Sequence, residues 1–127
     1  MQTPILVGVA DFKNASTLPA DAQEPAVLMH SAVNLAIQDT SLSNMAPILS
    51  SIDGISVVRT WTWPYADLPG LLASRLGVRG SALRHKEYTN HGGNSPARIV
   101  DEMARRIAYG KVRVGVVVGG EALASCR

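Results

Sequence analysis

The stretch from residue 84 to residue 118 constrains the fold more than any other. Residues 84–89 read as a short polar strand that runs into Asn90-His91-Gly92-Gly93-Asn94-Ser95. From Pro96 to Tyr109, Val100, Met103, Ala104, Ile107 and Ala108 make one helical stripe. Asp101 with Arg105, and Glu102 with Arg106, stand four apart on the opposite face and predict ion pairs. Gly110 ends the helix, and residues 112–118 form the most apolar strand of the chain. A strand, a tight turn, a helix and a buried strand in that order predict a parallel pair joined by a right-handed crossover.

The remainder extends the same alternation. Pro4-Ile5-Leu6-Val7-Gly8-Val9-Ala10 predicts a fully buried opening strand. Residues 11–23 read as loop. Pro25 suits the first turn of a helix that runs to about Asp39. Leu28, Ala32, Leu35 and Ala36 recur there at helical spacing, and Val33 and Ile37 widen the apolar arc. Residues 41–44 break the helix, and Ile48, Leu49 and Ile52 anchor a short connector. Residues 55–60 predict the second strand, which Pro64 stops. Residues 68–76 predict a short helix, with Gly77 as its left-handed cap. The order β-α-β-α-β-α-β predicts an α/β fold with a mainly parallel sheet, and residues 1–127 read as one domain.

For 127 residues the chain is apolar: 46% is hydrophobic and only 17% charged, with a mean hydropathy of +0.11. Further chain or a partner subunit is therefore expected to cover part of its surface. The net charge of +2 is mild, and the basic residues are scattered without interleaved aromatics. That pattern argues against nucleic acid as a partner. The single cysteine, Cys126, excludes an internal disulfide framework and a cysteine-based zinc site. A reducing, cytoplasmic setting is expected. No run approaches the ~18 apolar residues of a membrane span, and the N-terminus lacks the pattern of a signal peptide.

Candidate chemistry concentrates in the Gly92-Gly93 turn. Free N–H groups gather at a helix start, where the dipole favours negative charge. One reading is structural: Ser95 as N-cap, Pro96 as first helical residue, and glycines for a tight strand-to-helix turn. The other is an oxyanion or thioester pocket. Ser95 serves as a nucleophile only with a base in reach, and His91 is near it in sequence. His30, His85 and His91 share no metal-ligand spacing, so no metal is expected. Gly119-Gly120 and the segment around Gly8 lack the full dinucleotide fingerprint. Glu121, just after those glycines, reads as structural. Trp61, Trp63 and Tyr65 are conspicuous in a chain with 5% aromatics. They suit an interface better than the lining of an apolar tunnel.

Together these residues resemble the N-terminal half of the thiolase superfamily, within it the sterol-carrier-protein-type thiolases and thiolase-like acetyl-CoA acetyltransferases. Pro4-Ile5-Leu6-Val7-Gly8-Val9 looks like the family's opening strand, and Ile52-Asp53-Gly54-Ile55 like the lead into its second. Leu71-Leu72-Ala73-Ser74-Arg75-Leu76-Gly77 looks like the next helix. Asn90 through Ser95 looks like the nucleophile loop. Ile107-Ala108-Tyr109-Gly110 and Val116-Val117-Val118-Gly119-Gly120-Glu121-Ala122 look like the following helix end and strand. The family's loop reads Asn-x-x-Cys-x-Ser-Gly. Asn90 falls on its Asn, Ser95 on its Ser and Gly93 on its nucleophilic Cys, while Pro96 replaces its Gly.

The resemblance implies a thiolase-fold protein of lipid metabolism acting on acyl-CoA thioesters. The CoA thioester would be substrate, with no permanently bound cofactor, and the site would lie at Asn90, Gly93 and Ser95. Gly93 cannot carry an acyl group as the family's thiolate does. A retro-aldol type of step, which needs an oxyanion hole and a base, becomes the expectation. The family's base loop, second Cys, most of its CoA-binding loop and a further strand belong to later parts of a longer chain. The stretch is therefore expected to be incomplete and inactive alone, and to pair as a homo-oligomer or with a completing thiolase-type subunit. The alternative is a non-catalytic assembly or binding subunit. A third reading is an unrelated small phosphate-binding α/β domain.

Overall fold

A computed structural model describes residues 1–123. Cys126 lies outside the described residues. Among the described residues there are four α-helices: α1 (Pro25–Asp39), α2 (Ala46–Ser51), α3 (Leu68–Arg75) and α4 (Ser95–Ala108). Three strands, β1 (Ile52–Val57), β2 (His85–Tyr88) and β3 (Val114–Val118), form one parallel sheet in the order β2-β1-β3.

The central strand sets the layering. All six residues of β1 are buried, as a strand covered on both faces requires. Ile55 and Val57 join the core made with Met29 and Val33 of α1 and Leu68 and Leu72 of α3. On the other face, Gly54 and Gly115 admit α4. A Cβ on Gly115 would come within 2.6 Å of Met103 Cγ, and one on Gly54 within 3.3 Å of Met103 Sδ. β2 and β3 flank β1 on opposite sides, with α3 and α4 on opposite faces, as two right-handed crossovers demand.

Asp53 organises the start of β3. The pairing of β1 with β3 shifts register between Ile52 and Gly54. There the buried Asp53 carboxylate accepts the N–H of Arg113 at 2.9 and 3.1 Å and that of Val114 at 3.1 Å. A side chain thus replaces the ladder bonds that the shift removes.

The opening strand expected at residues 4–10 is absent from the sheet. Ile5, Leu6, Val7 and Val9 are exposed. The segment is held by Gln2 N–H on the Ala108 carbonyl, by Val9 N–H on the Asp39 carboxylate, and by Gly8 against the Ala36 carbonyl. A cavity of about 700 Å³ separates it from β3. Apolar composition signals burial, but a strand also needs an edge to pair with, and the nearest edge lies across that cavity. Smaller differences follow from local chemistry. The second strand is Ile52–Val57 rather than 55–60, the connector is the short α2, and Leu35 is exposed while Ala26, Met29, Val33 and Ile37 carry the core. Gly77 (φ 78°) is the left-handed helix end expected of it, and Gly110 (φ 71°), expected to end α4, is left-handed too.

Candidate functional site

The chain after β1 leads to α3 on one face, and the chain after β2 leads to α4 on the other. In open α/β sheets, ligands bind at the carboxyl ends of the strands, where the loops after adjacent strands part to opposite faces. Thr89, buried, lies at that point. Its N–H continues the ladder to Val57 at 3.0 Å. Its Oγ1 accepts the Arg59 N–H at 3.1 Å, and its carbonyl accepts Arg59 Nε–H at 2.8 Å. The Arg59 guanidinium carbon lies 3.9 Å from the centre of the Tyr88 ring. Thr60 Oγ1 donates to the Trp63 carbonyl at 2.7 Å and lies 3.2 Å from the Tyr88 hydroxyl. Glu121, three residues beyond β3, accepts from the Trp61 N–H and from Thr62 Oγ1. The structure therefore gives it the paired, structural place read from sequence.

The three candidate residues of the loop are together at the start of α4, in different environments. Ser95 is 5% exposed. It is the first residue of α4, and Asn94 occupies the N-cap position expected for Ser95. The Ser95 hydroxyl donates to the Asn90 carbonyl at 3.3 Å, and its N–H to Gly92 at 3.1 Å. That hydroxyl closes the turn. His91, its nearest base in sequence, is instead stacked on Trp61, with centroids 3.9 Å apart. Asn90 and Gly93 are exposed. A Cβ on Gly93 would meet nothing within 4 Å, and its φ lies outside the left-handed region. The fold thus places no demand for glycine there. The Asn94 side chain caps nothing. Among the described residues, the N–H groups of Asn94 and Ala97 find no acceptor. Free N–H groups at a helix start are suited to an anion or a developing oxyanion.

The aromatic loop divides. Trp63 and Tyr65 stack with centroids 6.5 Å apart, and the Tyr65 hydroxyl accepts the Ala26 N–H at 3.1 Å. Burial raises the pKa of that hydroxyl above its ordinary value. Trp61 alone is largely exposed, at 74%.

His85, Glu87 and Glu102 offer donor atoms within 4.8 Å of one another, a cluster not foreseen from spacing because it joins β2 to α4. Its carboxylates are already paired. Arg98 contacts Glu87 at 2.6 Å and Glu102 at 3.1 Å, and Arg106 contacts Glu102 at 3.1 Å. Burial, and then Arg106, push the His85 pKa below the usual histidine value, which favours a neutral ring beside Ser56. The cluster is a strand-to-helix ion network. The expected Asp101–Arg105 pair closes at 2.9 Å. Sequence reasoning placed Arg59 within the second strand and Thr89 at the end of the third, and did not foresee that the two meet.

No family model matches the chain, and no curated protein matches it. Among solved structures, it is similar to a monomeric SCP2-thiolase-like protein type 1 from Mycobacterium smegmatis, with a TM-score of 0.76 and 24% identity. The match covers 94% of this chain and 23% of that one. The chain therefore has a thiolase-like α/β fold, with an incomplete parallel sheet, and spans about a quarter of the length of that structure. No helix among the described residues is long and apolar enough to cross a membrane.

Proposed function

We propose that this chain is the N-terminal portion of a thiolase-fold protein that binds acyl-CoA thioesters without forming an acyl-enzyme. The observation that carries the reading is the loop from β2 to α4. In it Gly93 leaves open space beside the Asn94 and Ala97 N–H groups, at the carboxyl end of the sheet. A thioester carbonyl placed there would find unbonded N–H groups for its oxygen, and no sulfur to attack its carbon. Chemistry of the retro-aldol type then needs a base from the remainder of the fold. Asn90 lines the opening, Gly93 gives room and Ser95 holds the turn.

Incubation with acetyl-CoA followed by intact mass measurement tests this. With Cys126 replaced by serine in both chains, the chain with Gly93 should carry no stoichiometric acetyl adduct. Gly93→Cys, with a thiol at a helix N-terminus that favours the thiolate, should acquire one. A stoichiometric adduct on the chain with Gly93, or none on a folded Gly93→Cys chain, would falsify the assignment of position 93.

The alternative, an assembly subunit pairing with a thiolase-type partner or a second copy, is favoured by one observation. Exposed Ile5, Leu6, Val7 and Val9 border the cavity beside the unpaired edge of β3. Co-expression with a completing subunit should then raise the yield of dispersed protein. Unaltered yield would count against it.

A further inference from the structure

Beyond its contact with the Tyr88 ring, Arg59 has no partner in the fold that answers its charge. Arg75, Arg98, Arg105, Arg106 and Arg113 each lie within 4.0 Å of a carboxylate. Among the described residues, Arg59, Arg79 and Arg84 have no carboxylate that close, and of these three only Arg59 is half-buried. A partly desolvated cation without a counter-charge is costly unless a ligand supplies one. Its orientation is also fixed. Nε–H is bound to the Thr89 carbonyl at 2.8 Å, and one face of the guanidinium lies over Tyr88 at 3.9 Å. The two terminal nitrogens donate to nothing among the described residues. What remains is a single end-on fork of parallel N–H donors, which matches a planar carboxylate.

We propose that Arg59 is an anion clamp that recognises a carboxylate on the acyl part of the bound thioester. The proposal rests on the thioester reading above. The acyl part is favoured over the phosphates of CoA by position. Arg59 is bonded to Thr89, which directly precedes the Asn90–Ser95 turn where the reacting carbonyl would lie. The clamp therefore belongs to the reacting end of the ligand. A guanidinium locked on Thr89 and Tyr88 also keeps its fork immobile before binding, so little rotamer freedom is lost on capture.

The test uses the full chain and two stable thioethers of similar shape, S-(3-carboxypropyl)-CoA and S-butyl-CoA, titrated calorimetrically. The native chain should bind the carboxylate analogue about 10- to 100-fold more tightly, the range of a charge-assisted hydrogen-bonded pair. In Arg59→Gln that gap should close. In Arg59→Lys it should shrink substantially, because an ammonium lacks the fork. Amide spectra of both variants establish that they are folded. Equal affinity of the native chain for the two thioethers overturns the clamp. So does a gap that persists in a folded Arg59→Gln chain. If neither thioether binds but glutarate binds and is lost in Arg59→Gln, the clamp stands and the thioester reading fails. If none of the three probes binds, both fail.

Discussion

Replacing Gly93 with alanine separates a glycine kept for the fold from one that leaves space for a ligand. The added Cβ meets no heavy atom within 4 Å, and the backbone there is outside the left-handed region. The native state thus gains no clash, while the unfolded chain loses conformational freedom. Such substitutions stabilise by about 0.4–1 kcal/mol. Gly115→Ala supplies the contrast. Its Cβ would lie 2.6 Å from Met103 Cγ and 3.1 Å from Met103 Cε, beneath a helix whose Met103 is 4% exposed. Met103 must leave its rotamer or α4 must lift, at a cost of about 1–3 kcal/mol. Urea denaturation followed by far-ultraviolet circular dichroism reads both as shifts of the midpoint at constant slope. Gly93→Ala should be neutral or slightly stabilising, and Gly115→Ala clearly destabilising. A loss above about 1 kcal/mol in Gly93→Ala would show that the turn itself needs glycine, and the argument that position 93 is open for function would fail.

Further expectations concern buried and capping carboxylates. Asp53→Ala strips the acceptor from two backbone N–H groups at the start of β3 and should cost about 2–4 kcal/mol of unfolding free energy. Asp53→Asn should cost less, because one oxygen remains to accept; equal losses in the two variants would count against the hydrogen-bonding account. Asp67 caps α3 by accepting the Gly70 N–H at 3.1 Å and pairs with Lys86 at 3.0 Å. Asp67→Ala should cost about 1 kcal/mol. Lys86, and then the Gly70 N–H, hold the Asp67 carboxyl below its usual pKa. A lowered folded-state pKa gives stability that is present above the unfolded value, near ~3.9, and lost as pH falls through the folded value. The stability gap between the native chain and Asp67→Ala should therefore be constant near neutrality and narrow below about pH 4. A gap that widened in acid would contradict the assignment.

The elements that were legible from sequence carried their own local signals. Helix α4 has a polar face of paired charges and a stop at Gly110, and α3 has its glycine end at Gly77. The apolar run of β3 marks it as a strand of the sheet, although only Val118 of it is buried. The strand-to-helix loop was legible because glycines, an N-terminal proline and an apolar stripe occur together. What failed was everything set by a distant neighbour. Residues 4–10 are as apolar as β3, yet they pair with no edge, and composition cannot report whether an edge is in reach. Ser95 has the chemistry of an N-cap, but the turn closes one residue earlier and directs its hydroxyl to Asn90. Trp61, Trp63 and Tyr65 look like one aromatic group, and the fold sends Trp63 and Tyr65 toward one another and Trp61 onto His91. Arg59 and Thr89 meet across 30 residues, a separation no local pattern spans.

The central claim is that an acyl-CoA thioester is received where the carboxyl ends of β1 and β2 meet the start of α4. Titration of the isotopically labelled full chain with butyryl-CoA, followed by two-dimensional amide spectra, addresses it most directly. Saturable shifts should concentrate in the amides of Gly93, Asn94 and Ala97 and in residues 59–61, with the outer edge of β3 little affected. An unchanged spectrum, or shifts confined to residues 4–12 and β3, would contradict it.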